Sequence, residues 1–337
     1  MKLTNSFILL LHFVCCCFYS CSEKNKSTNT EVIMCNADQE IDINLMAPRK
    51  IFASPSGFFV FDTSKKNNFL ILYSNKGDSL DSFGKIGDGP GELIMPICNQ
   101  SNDRLIVSSI NGEMYFVADT KGKITVETER KEYSKVFEGS NFIENIDTGV
   151  YLLSKTSEKQ IQIHDFKTGV SRENSFYPFV VKDDISGYMV NNVLFESNYA
   201  YGMGHMFICY KHYPLTSIVD INDNITLQTI EADGNTQNTY SVNNGVVEFT
   251  DPTLFYTFSS YADQSFWALF QNSKREELKD NSIRSQIHRI SLGQKNPIIY
   301  QLDRTIYNFT VSSDGKKIYA LYFDKDSEPK ICTYTIS

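Results

Sequence analysis

Two histidines and two tyrosines lie close together in the chain, and their side chains could bind a ligand. His205 and His212 flank an apolar run at 206–210, and Tyr201 and Tyr213 lie just outside them. Aromatic rings stack on flat apolar faces, and imidazoles donate and accept hydrogen bonds. The four residues therefore predict a site for a sugar or a peptide. The simpler interpretation, ordinary residues at strand ends, carries more weight.

Catalytic signatures are scarce. Asp220, Asn222, Asn224 and Glu231 have part of the spacing of a calcium-binding loop, but that loop needs glycine where Ile225 stands. A polar hairpin tip explains the segment better. The sequence contains neither H-E-x-x-H nor G-x-S-x-G. We therefore predict no catalytic residues and leave calcium as the one open cofactor.

The N-terminus has the layout of an export signal. Lys2 precedes an apolar run at 7–19, which is too short to span a bilayer comfortably. Ser20 and Cys21 then resemble the cleavage site of a bacterial lipoprotein, in which the cysteine thiol is lipidated. We predict a signal peptide at 1–20, lipidation at Cys21, a polar flexible tether at 21–36, and a lipid-anchored protein of the cell envelope at the outer membrane. Periplasmic and surface-facing orientations both stay open.

Charge and cysteine spacing exclude several classes. The net charge is −8 and the pI is near 5.2, which argues against a nucleic-acid partner. Beyond the export segment, Cys35, Cys98, Cys209 and Cys332 are scattered without a C-x-x-C pair. This spacing excludes zinc-finger and thioredoxin-like sites. A bond between Cys35 and Cys332 stays open.

The elements that must position these residues are short strands, because apolar runs alternate with turn residues and no long helical period occurs. Strand–turn–strand units centre near 76, 121, 168, 223 and 294, each preceded by another apolar run. A sixth unit begins at 318 and ends one strand short, and the alternating run at 40–45 can supply that strand. Repeats of this spacing are typical of propeller blades. We predict an all-β, six-bladed propeller over 37–337, closed by the N-terminal strand.

The glycine-rich segment at 83–93 follows the first unit and resembles a segment of a known family. Four glycines allow tight turns, and Pro90 restricts the backbone, so the segment predicts a rigid crossover between blades. A phosphate loop is disfavoured because G-K-[ST] and a following helix are absent. The segment resembles the G-x-G-x-G-P-G-E-F stretch of the TolB-like six-bladed propeller lipoproteins of Bacteroidetes, with Leu93 in place of Phe. That resemblance implies the fold and envelope location, but no activity. The residues of the predicted structural loop are Gly84, Gly87, Gly89, Pro90, Gly91 and Glu92.

Three functions fit these features. The first is a membrane-tethered binding module for a protein, peptide or glycan. The second is a propeller hydrolase of the lactonase or esterase kind, built around channel-bound calcium. The third is a scaffold subunit of an envelope complex. The predicted tether and the lack of catalytic motifs favour the first.

Overall fold

The fold is known from a computed structural model that describes residues 30–101, 104–109, 114–128, 142–144, 148–152, 159–165, 168–178, 191, 193–232, 238–243, 246–279 and 282–336. By its contacts the chain divides into two units, 1–31 and 32–337. The predicted signal peptide and the lipidation residue Cys21 lie outside the described residues. Within the described ranges, no helix has the length and apolar character needed to span a membrane.

Nearly all of the regular structure is β. In chain order the strands are β1 Val32–Cys35, β2 Gln39–Ile41, β3 Pro48–Ser54, β4 Gly57–Asp62, β5 Asn67–Ser74, β6 Ser79–Lys85, β7 Ile97–Ser101, β8 Arg104–Ser108, β9 Met114–Thr120, β10 Lys123–Thr128, β11 Phe142–Glu144, β12 Thr148–Leu152, β13 Ile161–Asp165, β14 Ser171–Asn174, β15 Ser197–Gly202, β16 His205–Tyr210, β17 Leu215–Asp220, β18 Ile225–Glu231, β19 Tyr240–Asn243, β20 Val246–Phe249, β21 Thr253–Ala262, β22 Ser265–Lys274, β23 Gln286–Ile290, β24 Ile298–Leu302, β25 Asn308–Val311, β26 Lys317–Phe323 and β27 Pro329–Thr335. A short helix, α1 Arg275–Lys279, follows β22 and has no buried residue.

The strands are arranged as propeller blades. Four sheets are simple antiparallel meanders of consecutive strands, β3 to β6, β7 to β10, β11 to β14 and β15 to β18. Strand β4 is buried along its whole length, whereas β18 is mostly exposed. Strands inside a blade are covered on both faces by neighbouring blades, and outer strands face water. Burial therefore falls from middle strands such as β4 to rim strands such as β18.

The described residues form five regular four-stranded blades, where the sequence predicted six blades. Five sheets have four strands, and a further sheet, in the order β1-β24-β23-β22-β21, has five. The extra strand β1 pairs in parallel with β24, from Val32 opposite Ile299 to Cys35 opposite Leu302. The pairing buries Cys35 in an apolar cluster that also holds Trp267. The predicted tether at 21–36 is therefore corrected, because Val32–Cys35 is a strand.

The last sheet combines both ends of the described chain. Strand β2 pairs antiparallel with β27, with Gln39 opposite Thr333 and Ile41 opposite Ile331. The strand predicted at 40–45 is thus shorter and starts one residue earlier, while Ile43 and Leu45 are buried without belonging to it. The four cysteines Cys35, Cys98, Cys209 and Cys332 are free and buried, so the bond considered between Cys35 and Cys332 is not formed.

Contacts between neighbouring sheets run mainly through their innermost strands. Strand β7 contacts β11, β11 contacts β15, β15 contacts β21, β21 contacts β25, and β25 contacts β3. Side chains supply part of this contact: Asn308 Oδ1 accepts from the Ile51 amide at 3.2 Å, and Thr310 Oγ1 accepts from the Ala53 amide at 2.9 Å. An innermost strand pairs within its own sheet on one edge only, so these groups satisfy backbone donors on the other edge.

Candidate functional site

A polar pocket lies where four innermost strands from different sheets converge. Its volume open to water-sized molecules is about 130 Å³. Because β3, β7, β15 and β21 belong to four separate sheets, the pocket lies towards the centre of the propeller rather than within one blade. The lining consists of 50–52 of β3, 99–100 of β7, 197–201 of β15 and 258–261 of β21.

Lys50 is the charged side chain of this lining. Its Nζ donates to the backbone oxygen of Cys98 at 2.9 Å and to Asn99 Oδ1 at 2.8 Å. The side chain is half-buried, and burial lowers the pKa of its ammonium group. The bonds tie β3 to β7 and hold the ammonium head in a fixed position.

Tyrosines provide much of the apolar surface of the pocket. Tyr199 OH accepts a hydrogen bond from Gln160 Nε2 at 3.0 Å, which orients its ring. Burial raises the pKa of Tyr201 to about 12, with a further contribution from Asp220. Burial also raises the pKa of Tyr261. These phenols stay neutral at ordinary pH, so the pocket offers rings and uncharged polar groups beside one lysine.

The predicted ligand cluster is divided by the β15–β16 hairpin. The register places Gly202 opposite His205 and Ser197 opposite Tyr210, so Tyr201 and His205 lie at one end and His212 and Tyr213 follow the other. A strand of this length extends over roughly 20 Å. Tyr201 lines the pocket, and the other three residues do not.

His212 and Tyr213 have packing partners of their own. The buried His212 ring stacks on Phe249 with centroids 4.2 Å apart, and its Nε2 lies 3.6 Å from Glu196 Oε2. The Tyr213 ring packs on Phe195 at 5.3 Å. Phe249 belongs to the hairpin of β19 and β20, which the sequence did not predict. These contacts fit the simpler interpretation, residues that hold strand ends in place.

The glycine-rich loop closes on itself. Leu93 donates to the Lys85 oxygen at 2.8 Å, and Gly87 donates to the Leu93 oxygen at 3.1 Å. Glu92 accepts from the Gly89 amide at 3.2 Å and forms an ion pair with Lys85, which lowers the pKa of the Glu92 carboxyl. The loop joins β6 to β7, and its carboxylate is occupied by the loop itself, as a structural crossover requires.

Substitution of Gly84 by alanine should destabilise the fold more than substitution of Gly91. Gly84 has φ +91°, and a Cβ there would lie 2.2 Å from the Phe69 ring. Gly91 has φ +75°, with no atom within 4 Å of such a Cβ. We expect a loss of about 1 kcal/mol for Gly91→Ala from backbone strain, and about 3 kcal/mol for Gly84→Ala from strain plus overpacking.

Urea denaturation of both variants, followed by circular dichroism, tests this difference. Gly91→Ala is the matched control, because it makes the same change at another glycine of positive φ in the same glycine-rich segment. Equal losses in the two variants would show that the close packing of Gly84 on Phe69 contributes nothing.

The residues that line the pocket do not supply the oxygen donors that a calcium ion would need. The pocket lining has a lysine and no carboxylate, whereas calcium prefers several carboxylate oxygens. Within the described residues, no three His, Cys, Asp or Glu side chains are grouped as a metal site requires. Asp220 Oδ1 accepts from the amides of Asn222 and Asp223 at 2.8 and 3.1 Å, as in a hairpin tip.

Lys50 and Asn99 were missed by sequence reasoning. A lysine amid apolar residues in P-R-K-I-F is a weak signal, because lysine stems commonly lie along apolar surfaces with the charge in water. The innermost strands themselves were mostly not recognised, so their residues could not be assigned to the axis.

Together the sheets and the central pocket define the class as a β-propeller with an axial polar pocket. The sequence matches no protein-family model and no curated protein. The fold resembles that of a member of the DUF4221 family from Bacteroides vulgatus ATCC 8482, with a TM-score of 0.54 and 9% identity over 90% of this chain and 97% of that one. It also resembles a protein from Bacteroides fragilis NCTC 9343 named "Putative exported protein", with a TM-score of 0.52 and 10% identity over 90% of this chain and 99% of that one. At such identities the likeness is one of fold, and the TolB-like resemblance stays a prediction.

Proposed function

We propose that the protein is an exported, lipid-anchored envelope protein whose propeller binds a protein, peptide or glycan through its axial pocket. The observation that carries the binding role is the pocket itself, in which a fixed ammonium, amides, hydroxyls and aromatic rings converge from four sheets. Ligand sites are concave, with apolar walls and a few placed polar groups. Anchoring is supported by the sequence around Cys21, and export by the name of one protein of similar fold.

The same proposal includes a closed six-bladed ring. The five-stranded sheet would be the sixth blade, with β1 added to its rim. Support comes from the contacts of its strand β21 with β15 on one side and β25 on the other. Strand β2 would close the ring, supported by its pairing with β27 and by the contact of β25 with β3.

The two other functions receive less support. A calcium-dependent hydrolase needs converging carboxylates, and the described lining of the pocket has none. A scaffold needs a broad apolar surface. The exposed large apolar residues of the described chain are instead distributed over many segments, among them Val32 and Met34 of β1. Scattered exposed apolar residues are ordinary.

A variant with a filled pocket tests the binding role. Ser260 lines the pocket, so Ser260→Phe should place a ring in it, while Ser79→Phe places the same ring on the exposed outer strand β6. We expect ligands found for the full-length protein on glycan and peptide arrays to lose at least about tenfold in affinity with Ser260→Phe, equivalent to about 1.4 kcal/mol. Ser79→Phe should bind normally.

Melting temperatures of both variants control for folding. Unchanged binding by a folded Ser260→Phe protein would assign recognition to another surface. An array without any binder would contradict the binding of glycans and peptides and leave a protein as the ligand.

A further inference from the structure

Among the residues that the structure describes, Lys50 has no counter-ion. Its acceptors, the Cys98 backbone oxygen and Asn99 Oδ1, are both neutral. In the part of the chain that the structure describes, no carboxylate acts on the Lys50 ammonium group, and the pocket lining contains no Asp or Glu. Buried and half-buried charges are usually paired. The lowered pKa of Lys50 agrees with an uncompensated charge.

Within the described part of the chain, the Lys50 ammonium group has one N–H left for a ligand. A lysine head carries three N–H groups, and two of them are engaged by Cys98 and Asn99. Those two bonds hold the head in the pocket instead of letting it extend to water, as lysines commonly do. The Asn99 amide oxygen is committed to this role, so Asn99 positions Lys50. A donor that is already oriented pays little entropy on binding an anion.

The charge and size of the site match a carboxylate. One fixed positive charge balances one negative charge, whereas a phosphate group carries nearly two and usually recruits several donors. The remaining lining is uncharged, with Ser259, Ser260 and three tyrosines on the opposite strands. A volume of about 130 Å³ admits a small acidic group with part of its carrier.

We propose that the axial pocket is a carboxylate-binding subsite in which the Lys50 ammonium pairs with an acidic group of the ligand. This specifies the ligand class and rests on the proposed binding function. The carboxylate can come from an acidic sugar or from an acidic amino-acid side chain, which share this chemistry.

Calorimetric titration of the full-length protein with matched charged and neutral probes tests the proposal. Galacturonate is paired with galactose, and glutarate with glutaramide. At least one acid should bind at least about tenfold more tightly than its neutral partner, the factor that corresponds to about 1.4 kcal/mol. Lys50→Met should abolish this preference, and Lys50→Arg should retain a large part of it. Binding of galacturonate alone identifies an acidic sugar, and binding of glutarate alone identifies an acidic side chain.

Salt provides a measurement that does not depend on any variant. Rising ionic strength should weaken binding of the acid in the wild-type protein and leave the neutral probe unaffected, because salt screens charge pairs. Equal binding of acid and neutral partner, or an unchanged preference in folded Lys50→Met, would overturn the carboxylate subsite. The binding role would then still stand if array ligands are lost with Ser260→Phe. Inorganic phosphate that binds more tightly than both acids would also overturn it.

Discussion

Replacement of Trp267 by alanine should lower the free energy of unfolding by about 3–5 kcal/mol, the usual cost of removing a buried large aromatic side chain. Trp267 is the single tryptophan of the chain and is fully buried in β22. Its indole stacks on Tyr300 at 5.7 Å, and its Nε1 donates to the Ala262 oxygen at 3.0 Å. The cluster around it joins the five-stranded sheet to the last sheet through Phe309 and Ile318.

Chemical denaturation followed by far-ultraviolet circular dichroism measures this loss, because Trp267→Ala leaves no tryptophan for fluorescence. Leu227→Ala is the matched control, since Leu227 is 40% exposed on β18 and should cost less than about 1 kcal/mol. Trp267→Phe keeps a ring and should fall between the two. A loss below about 1 kcal/mol for Trp267→Ala would contradict the close packing of the two sheets.

Acidification from pH 7 to pH 5 should cost the protein about 2 kcal/mol of stability through His288 alone. His288 is buried in β23, with its ring stacked on Phe270 at 4.6 Å. Its two nitrogens lie 3.1 Å from Tyr256 OH and 3.1 Å from Gln286 Oε1. Burial lowers the pKa of His288 from 6.5 to about 3.

The direction of this pH effect follows from proton binding at His288. Between about pH 6.5 and pH 3 the unfolded chain binds a proton on this residue that the native protein does not. The contribution of the neutral His288 to the free energy of unfolding is therefore fully present above about pH 6.5. It is lost as pH falls, by up to about 1.4 kcal/mol per pH unit. Carboxylates with lowered pKa, such as Asp62 and Asp119, lose their contribution mainly at lower pH.

Urea midpoints at pH 7 and pH 5, for wild type and His288→Gln, measure this effect. Glutamine can hydrogen-bond but does not titrate, so the variant should lose less stability between the two pH values, whatever its starting stability. The difference between the two proteins cancels the groups they share. Identical pH dependence in both would show that His288 takes up its proton in the native state as readily as in the unfolded chain.

The outer and middle strands of the blades could be read from the sequence. The runs at 58–61 and 69–73 are found in β4 and β5, and 318–322 is found in β26. Local sequence is enough to recognise these strands, because an apolar run bounded by turn residues indicates a strand buried between blades. The glycine-rich crossover was predictable for a similar reason, since its contacts lie within ten residues of one another.

The innermost strands, and with them the candidate site, were decided by the tertiary structure. Segments such as I-C-N-Q-S in β7 and S-N-Y-A-Y-G in β15 mix polar and apolar residues, because they face neighbouring blades and the axis at once. Their pattern therefore resembles that of a loop. Proximity along the chain did not bring His205 and His212 together either, because they lie at opposite ends of strand β16.

The sequence by itself determined that the chain forms repeated antiparallel hairpins, because alternation of side chains along a strand is a local property. Only the tertiary structure decided that β1 pairs with β24 at the edge of its sheet and that Lys50 lines one pocket with residues of β15 and β21. These contacts depend on how many sheets pack around the axis and at what angle. Packing between blades sets both quantities, and no short stretch of sequence encodes either one.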